Sequence, residues 1–298
     1  MSRSSTAPSV ARPRGRTQSY LYLLPALVLV IGIVHYGIIS NVVISTWQWN
    51  GVSPTHQEVG GANYARMFAD PVFWQSLANT GVFAVVTVSV QLVLGFLLAV
   101  LVRTRSFGTG LLRTLLFVPV VLSGAIVATC FRFLLTPDGG FNQLLQSIGF
   151  ADFDHPWLAS PGTALLCIAA INIWQFTGYS FVMYDAALGQ VDNSVIEASR
   201  MDGASTFRLM WSVLFPLTRG THLILIVLGV IGALKAFELV FLTTGGGPGT
   251  STEFLSTYIY RLGIPQFDAS YSATLSVALV VLALVFAALQ IRLSTKKG

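Results

Sequence analysis

Charge is scarce in this chain. Only 10% of its 298 residues are Asp, Glu, Lys or Arg, against about 25% in soluble domains. So few charges cannot cover a water-soluble surface. Cysteine is scarcer still. Cys130 and Cys167 are the only two, each inside an apolar run, so neither a disulfide framework nor a metal-ligand spacing can be built. Both read as small packing residues. No polar stretch is long enough to hold an enzyme domain, and no pattern nominates a catalytic residue. The run Gly245-Gly246-Gly247-Pro248-Gly249-Thr250 has the glycines of a phosphate cradle but lacks the lysine that a P-loop sets before its Ser or Thr. It reads as a tight turn, and no nucleotide site is expected in this chain.

What is plentiful is apolar sequence, at 54% of residues. A helix needs about 20 apolar residues to cross a bilayer core. Six segments qualify: Leu21–Ser45, Leu77–Val102, Leu111–Leu135, Thr163–Ala187, Thr221–Leu242 and Ser272–Leu293. The first follows basic residues as a signal peptide does, but its apolar stretch exceeds a signal's core and reads as a retained span. The chain is therefore expected to be an all-α polytopic membrane protein with six transmembrane helices. Residues 1–19 read as a disordered tail, 20–46 as the first span, and 74–293 as a five-helix core. The outer connections Thr46–Ser76, Thr136–Gly162 and Thr243–Tyr271 read as modest loops.

The net charge of +5 is explained by topology, with no nucleic-acid partner. Thirteen of the 17 basic residues fall on one side: Arg3, Arg12, Arg14 and Arg16; Arg103, Arg105 and Arg113; Arg200, Arg208 and Arg219; and Arg292, Lys296 and Lys297. The positive-inside rule makes that side cytoplasmic and both termini with it. The tail arginines can also meet anionic lipid headgroups.

One cytoplasmic connection, within 191–219, is more than a return loop. Asp192, Asn193 or Ser194 can cap a helix start. Gly203 ends that helix, because glycine takes left-handed geometry cheaply. Ser205 can cap a second helix, on which Phe207, Met210, Trp211 and Leu214 share one apolar face. Pro216 stops or kinks it before the fifth span. Glu197-Ala198-Ser199, Asp202-Gly203-Ala204 and Phe215-Pro216, with the proline thirteen residues after the glycine, resemble the EAA loop of ABC importer permeases. Ser199 stands for the usual second alanine and Phe215 for a usual leucine. Leu234-Lys235-Ala236-Phe237-Glu238 leading into Leu242-Thr243-Thr244-Gly245-Gly246-Gly247-Pro248 is similar to the fifth span of the carbohydrate, maltose-transporter-like members. Ala62 to Thr80 resembles the segment placed before their core spans. The resemblance, to binding-protein-dependent transport system inner membrane components, covers most of the chain from Ala62 onward.

The resemblance implies the type I ABC importer transmembrane fold and import of a sugar or sugar derivative by alternating access. It implies that Glu197, Ala198, Ser199, Asp202, Gly203, Ala204 and Pro216 form the coupling loop that docks on an ATPase. The implied partners are a second related permease, two ATPase subunits that carry ATP and Mg²⁺, and an extracytoplasmic sugar-binding protein, in a multi-pass arrangement in the cytoplasmic membrane. Two rivals remain open: an ion-coupled secondary transporter and a non-transporting anchor or assembly protein.

Polar residues inside spans face cavities or other helices. Asn172, Gln175 and Tyr179 in the fourth span and Phe237 and Glu238 in the fifth offer the amides, carboxylate and rings that suit a sugar. Asn172 and Gln175 serve equally well as interhelical hydrogen-bonding groups. Lys235 and Glu238, three apart, share a helix face and can pair. His35, Asn41, Asn79 and Gln91 read as interhelical packing groups.

Overall fold

The computed structural model describes residues 16–103, 108–150 and 154–295. α1 (Arg16–Leu29) runs through a π-helical turn, Val30–His35, into α2 (Tyr36–Ile44). A short antiparallel pair follows, β1 (Trp47–Gln48) with β2 (Gln57–Glu58). Then come α3 (Ala62–Ala69), α4 (Pro71–Arg103), α5 (Thr109–Val121), α6 (Gly124–Leu134), α7 (Gly140–Ser147) and α8 (Pro161–Leu188). α9 (Asn193–Met201) and α10 (Thr206–Arg208) lead through a second π-helical stretch, Leu209–Leu214, into α11 (Phe215–Leu217). α12 (Arg219–Leu234), α13 (Glu238–Thr243), α14 (Leu255–Gly263) and α15 (Ala269–Thr295) complete the described chain.

The burial pattern is that of a bundle in lipid. Tyr22–Ile44 is apolar enough to span yet has none of its apolar window buried inside the chain; it leans on α15 through α2. α4 has 33 residues, about 50 Å of helix, so it overshoots a hydrocarbon core of about 30 Å. Where helices cross most closely, glycine is the contact. A Cβ on Gly95 of α4 would stand 2.6 Å from the Ser180 Cβ of α8. One on Gly178 of α8 would run into the Leu116 carbonyl of α5. With little hydrophobic drive between helices in lipid, such close approach supplies the packing energy.

Among the described residues, four helices are long and apolar enough to cross a membrane, and two bent pairs raise the count to as many as six. The expected third span is bent by 92° between α5 and α6. Pro119 lacks a backbone N–H, and Leu122 and Ser123 then turn extended before Gly124 restarts the helix. The fifth span is entered through a 69° bend. That bend falls at Thr218, two residues beyond Pro216, which fits within the first turn of α11. The fifth span is also interrupted again, at Lys235–Phe237.

Other expectations need correction. Of the tail read as disordered, 1–15 lies outside the described residues, and Arg16–Ser19 are helical; nothing in that stretch breaks a helix. The outer connections are more than loops, since they contain α3, α7 and α14. α14 buries Leu255, Tyr258 and Leu262 against α15. Phe207 is not on the buried face of its helix but 72% exposed; the buried residues are Leu209 and Leu214. Five-residue spacing is what a π-helical turn, with its i→i+5 bonds, places on one side.

Candidate functional site

Two interrupted spans meet at mid-bundle. The α5–α6 break and the α12–α13 break, together with α4 and α8, enclose a cavity of ≈ 540 Å³. Asn172, Gln175, Tyr179, Phe237 and Glu238 all line it, joined by Gln91 and Lys235. Non-helical backbone is tolerated at membrane depth where it lines a cavity or is buried in protein. Here one carbonyl at each break, that of Leu122 and that of Ala236, is met by a side chain, Gln175 and Ser256 respectively. Gln175, only 4% exposed, donates from Nε2 to the Leu122 carbonyl at the first break, 3.1 Å. Gln91 of α4 donates from Nε2 to the Asn172 carbonyl at 3.1 Å and to its Oδ1 at 3.0 Å. The amides therefore line the cavity and fasten helices at once.

Glu238 opens α13 and crosses toward the start of α6: a Cβ on Gly124 would stand 2.7 Å from its Oε2. Phe237 stacks on Phe241 at 5.0 Å and tilts against Tyr260 at 5.3 Å. Lys235 and Glu238 do not pair; no ion pair joins them among the described residues. The helix stops between them, so three-residue spacing no longer puts them on one face. His35 and Asn41 bond to carbonyls of their own helical segment, Val30 and Gly37, whereas Asn79 and Gln91 do reach other elements.

The second group lies at the end of the bundle that carries Arg103, Arg113 and Arg200. Asp192 caps α9, its carboxylate accepting from the Ser194 N–H at 2.9 Å. That bond, from backbone and side chain of Ser194, holds the Asp192 carboxyl below its usual range. Glu197 and Ala198 are exposed on α9. The helix closes in a Schellman turn: Gly203 sits at φ +77°, its N–H donates to Arg200 O, and the Ala204 N–H donates to Ser199 O, both at 3.0 Å. Ser205 caps α10 through the Arg208 N–H. Glu197 to Ala204 thus form one short helix and its cap, while Pro216 stands apart in α11. Met201, 83% exposed, and Phe207 present apolar side chains beside that cap.

Several groups were missed. Asp185 of α8 takes Arg103 of α4 on one oxygen at 2.9 Å and Arg113 of α5 on the other at 3.0 Å. A carboxylate inside an apolar run should have signalled a partner. Glu253 is 1% exposed beneath the glycine run, paired with Arg261 at 3.0 Å and accepting from the Thr257 hydroxyl. His222 bonds Tyr184; no spacing announces that pair. Among the described residues no group of three or more His, Cys, Asp or Glu could hold a metal ion.

Comparison with known proteins bears on both groups. A family model described as "Binding-protein-dependent transport system inner membrane component" matches residues 91–297. The chain is 32% identical to the probable ABC transporter permease protein YurN of Bacillus subtilis (strain 168), over 92% of this chain and 94% of that protein. It is 33% identical to the lactose transport system permease protein LacF of Rhizobium radiobacter, over 91% and 92%. Its fold matches a chain in the crystal structure of a bacterial alginate ABC transporter in complex with an alginate pentasaccharide-bound periplasmic protein, with TM-score 0.82, 23% identity and 94% of each chain covered.

Proposed function

The chain belongs to the family of binding-protein-dependent transport system inner membrane components, and from that premise we propose that it forms half of the alternating-access path of an ATP-driven importer for a sugar or sugar derivative. The observation that carries this reading is the cavity where two interrupted spans meet, lined by Asn172, Gln175, Tyr179, Phe237 and Glu238. Its mixture of amides, carboxylate, phenol and ring gives the hydrogen-bonding groups and apolar faces that a polyhydroxylated ring requires. The lactose named for one relative agrees with this chemistry.

The segment from Glu197 to Ala204 is the docking element for an ATPase subunit, and Pro216 sets the helix that connects it to the fifth span. One such loop serves one ATPase, so a second, related permease supplies the other half of the path and the other loop. The two ATPase subunits bind and hydrolyse ATP with Mg²⁺, and an extracytoplasmic sugar-binding protein delivers the cargo. The excess of basic residues on one side supports a cytoplasmic position for the loop and both termini.

The test is Gly203→Asp. No heavy atom beyond the immediate chain neighbours lies within 4 Å of a Cβ there, but φ is +77°, a conformation that costs an L-residue about 1–2 kcal/mol. The spans should insert normally, while a charged side chain meets the docked ATPase. We expect the ATPase to be lost on co-purification and uptake with it. Normal co-purification together with normal uptake would overturn the docking assignment.

A further inference from the structure

We propose that His222 is a positioning residue that carries movement of the Asn193–Leu217 segment into α8, acting through Tyr184. The proposal rests on the coupling-loop reading above and goes beyond it by naming the link to the cavity.

His222 stands one turn beyond the 69° bend. Its Nε2 lies 2.9 Å from the carbonyl oxygen of Phe215. A carbonyl only accepts, so Nε2 carries the hydrogen. In the neutral ring Nδ1 then holds a lone pair, and the Tyr184 hydroxyl donates to it at 2.5 Å. The imidazole thus clamps two elements from its two nitrogens: the α11 backbone on one side and α8 on the other. Among the described residues this is the one side-chain hydrogen bond that joins the helices of 206–234 to α8.

The surroundings are built to transmit rather than absorb a displacement. Tyr184 is fully buried and meets Phe96 of α4 edge-on at 5.6 Å. Phe215 stands 5.1 Å from Phe96 and 4.2 Å from the His222 ring. A close-packed knot of rings does not deform gradually. Farther along α8 lie Tyr179, Gln175 and Asn172 of the cavity wall. Tyr184 is nine residues from Gln175, about 13 Å along one continuous helix. A shift of the coupling segment that moves the Phe215 carbonyl therefore pulls on Tyr184, and α8 carries the pull to the cavity.

The experiment uses the assembled transporter, with both native cysteines replaced by serine, and needs no knowledge of the sugar. One pair of spin labels at Ser194 and Leu111 reports the loop. A second pair at Val85 and Leu166, both exposed, reports α8 against α4. Distances are compared before and after trapping with ATP and vanadate. In the unsubstituted protein both pairs should shift. In Tyr184→Phe, which retains the ring against Phe96, and in His222→Gln, the ATPase should still co-purify and the loop pair should still shift. The population with a shifted α8 pair should fall roughly three- to tenfold, the factor a buried hydrogen bond of ordinary strength supplies. Full shifts at both pairs in both variants overturn the proposal. So does proportional loss of both shifts, the mark of a packing role alone, and so does an α8 pair that never moves in the unsubstituted protein. The docking reading fails separately, through Gly203→Asp.

Discussion

Asn79, near the start of α4, holds two carbonyls of one distant loop with a single amide: its Nδ2 donates to Thr250 O at 3.1 Å and to Glu253 O at 3.0 Å. Two residues 174 apart in sequence are thereby fixed, and the glycine run between α13 and α14 becomes a rigid cap. Gly245, Gly246 and Gly249 take positive φ within it. The next residue of α4, Thr80, accepts from the Leu255 N–H at 3.3 Å. Asn79→Ala leaves buried acceptors unmet, which costs about 1–3 kcal/mol. We expect a lower midpoint in thermal unfolding of the detergent-solubilised protein. An unchanged midpoint would show that the cap stands without this bond.

Glu253 beneath that cap provides a pH test. Burial raises its carboxyl above the usual 4.5, opposed by the Thr257 hydroxyl and Arg261. The folded chain then holds the proton more tightly than the unfolded one. The stability this group contributes is fully present below pH 4.5 and is lost as pH rises through the folded value. Glu253→Gln should flatten the fall in unfolding midpoint above pH 4.5. A steeper fall in Glu253→Gln would mean that the Arg261 pair, not burial, governs the group, and a slope identical to that of the unsubstituted chain would overturn the assignment.

Much of this was legible in the sequence, for reasons of scale. A run of 20 apolar residues has few alternatives to a span, and the caps at Asp192, Gly203 and Ser205 are local chemistry, readable residue by residue. The breaks were not legible. Pro119 and Ser123-Gly124 sit in a run apolar enough to pass as one helix, and the group that meets the Leu122 carbonyl at the gap, Gln175, arrives from α8, far off in sequence. Phe207 left the expected face because it stands in α10, ahead of the π-helical stretch in which Leu209 and Leu214 turn inward. Pairs such as Tyr184 with His222 depend on which helices meet, and no spacing within one helix encodes that.

Orientation can be read directly. In a chain lacking Cys130 and Cys167, a cysteine at Ser194 should react only with reagents that reach the cytoplasm. One at Gly247 should react with an impermeant reagent from outside. Labelling of position 247 from inside alone would invert the assignment.

The cavity separates lining from scaffolding. Phe237 and Glu238 bear on the cavity without fastening a helix break by hydrogen bond, whereas Gln175 holds the Leu122 carbonyl. Glu238→Gln should reduce uptake while leaving stability within about 0.5 kcal/mol of the parent, the range for sites away from a structural network, whereas Phe237→Ala should reduce uptake and also lower the midpoint, because it gives up the ring contacts with Phe241 and Tyr260. Gln175→Ala should reduce both. If Gln175→Ala is as stable as the parent, the break at Leu122 is held by something else.

Glycine contacts make the sharpest comparison, because three positions in spans differ only in what a methyl group would meet. At Gly81 of α4 nothing lies within 4 Å. At Gly95 a Cβ meets the Ser180 Cβ at 2.6 Å and the Phe181 backbone nitrogen at 2.9 Å, and at Gly178 it meets the Leu116 carbonyl of α5. Backbone cannot swing aside as a side-chain tip can, so each added methyl must push two helices apart. Overpacking of that kind costs about 1–3 kcal/mol. It also shifts α8, which bears Asn172 and Gln175 on the cavity and Tyr184 on the His222 tie. Gly81→Ala should be neutral or slightly stabilising, since alanine favours helix by up to about 1 kcal/mol over glycine. Gly95→Ala and Gly178→Ala should lower the unfolding midpoint and depress uptake. Equal behaviour of all three variants would mean that the close crossings of α4, α5 and α8 do not hold the bundle together.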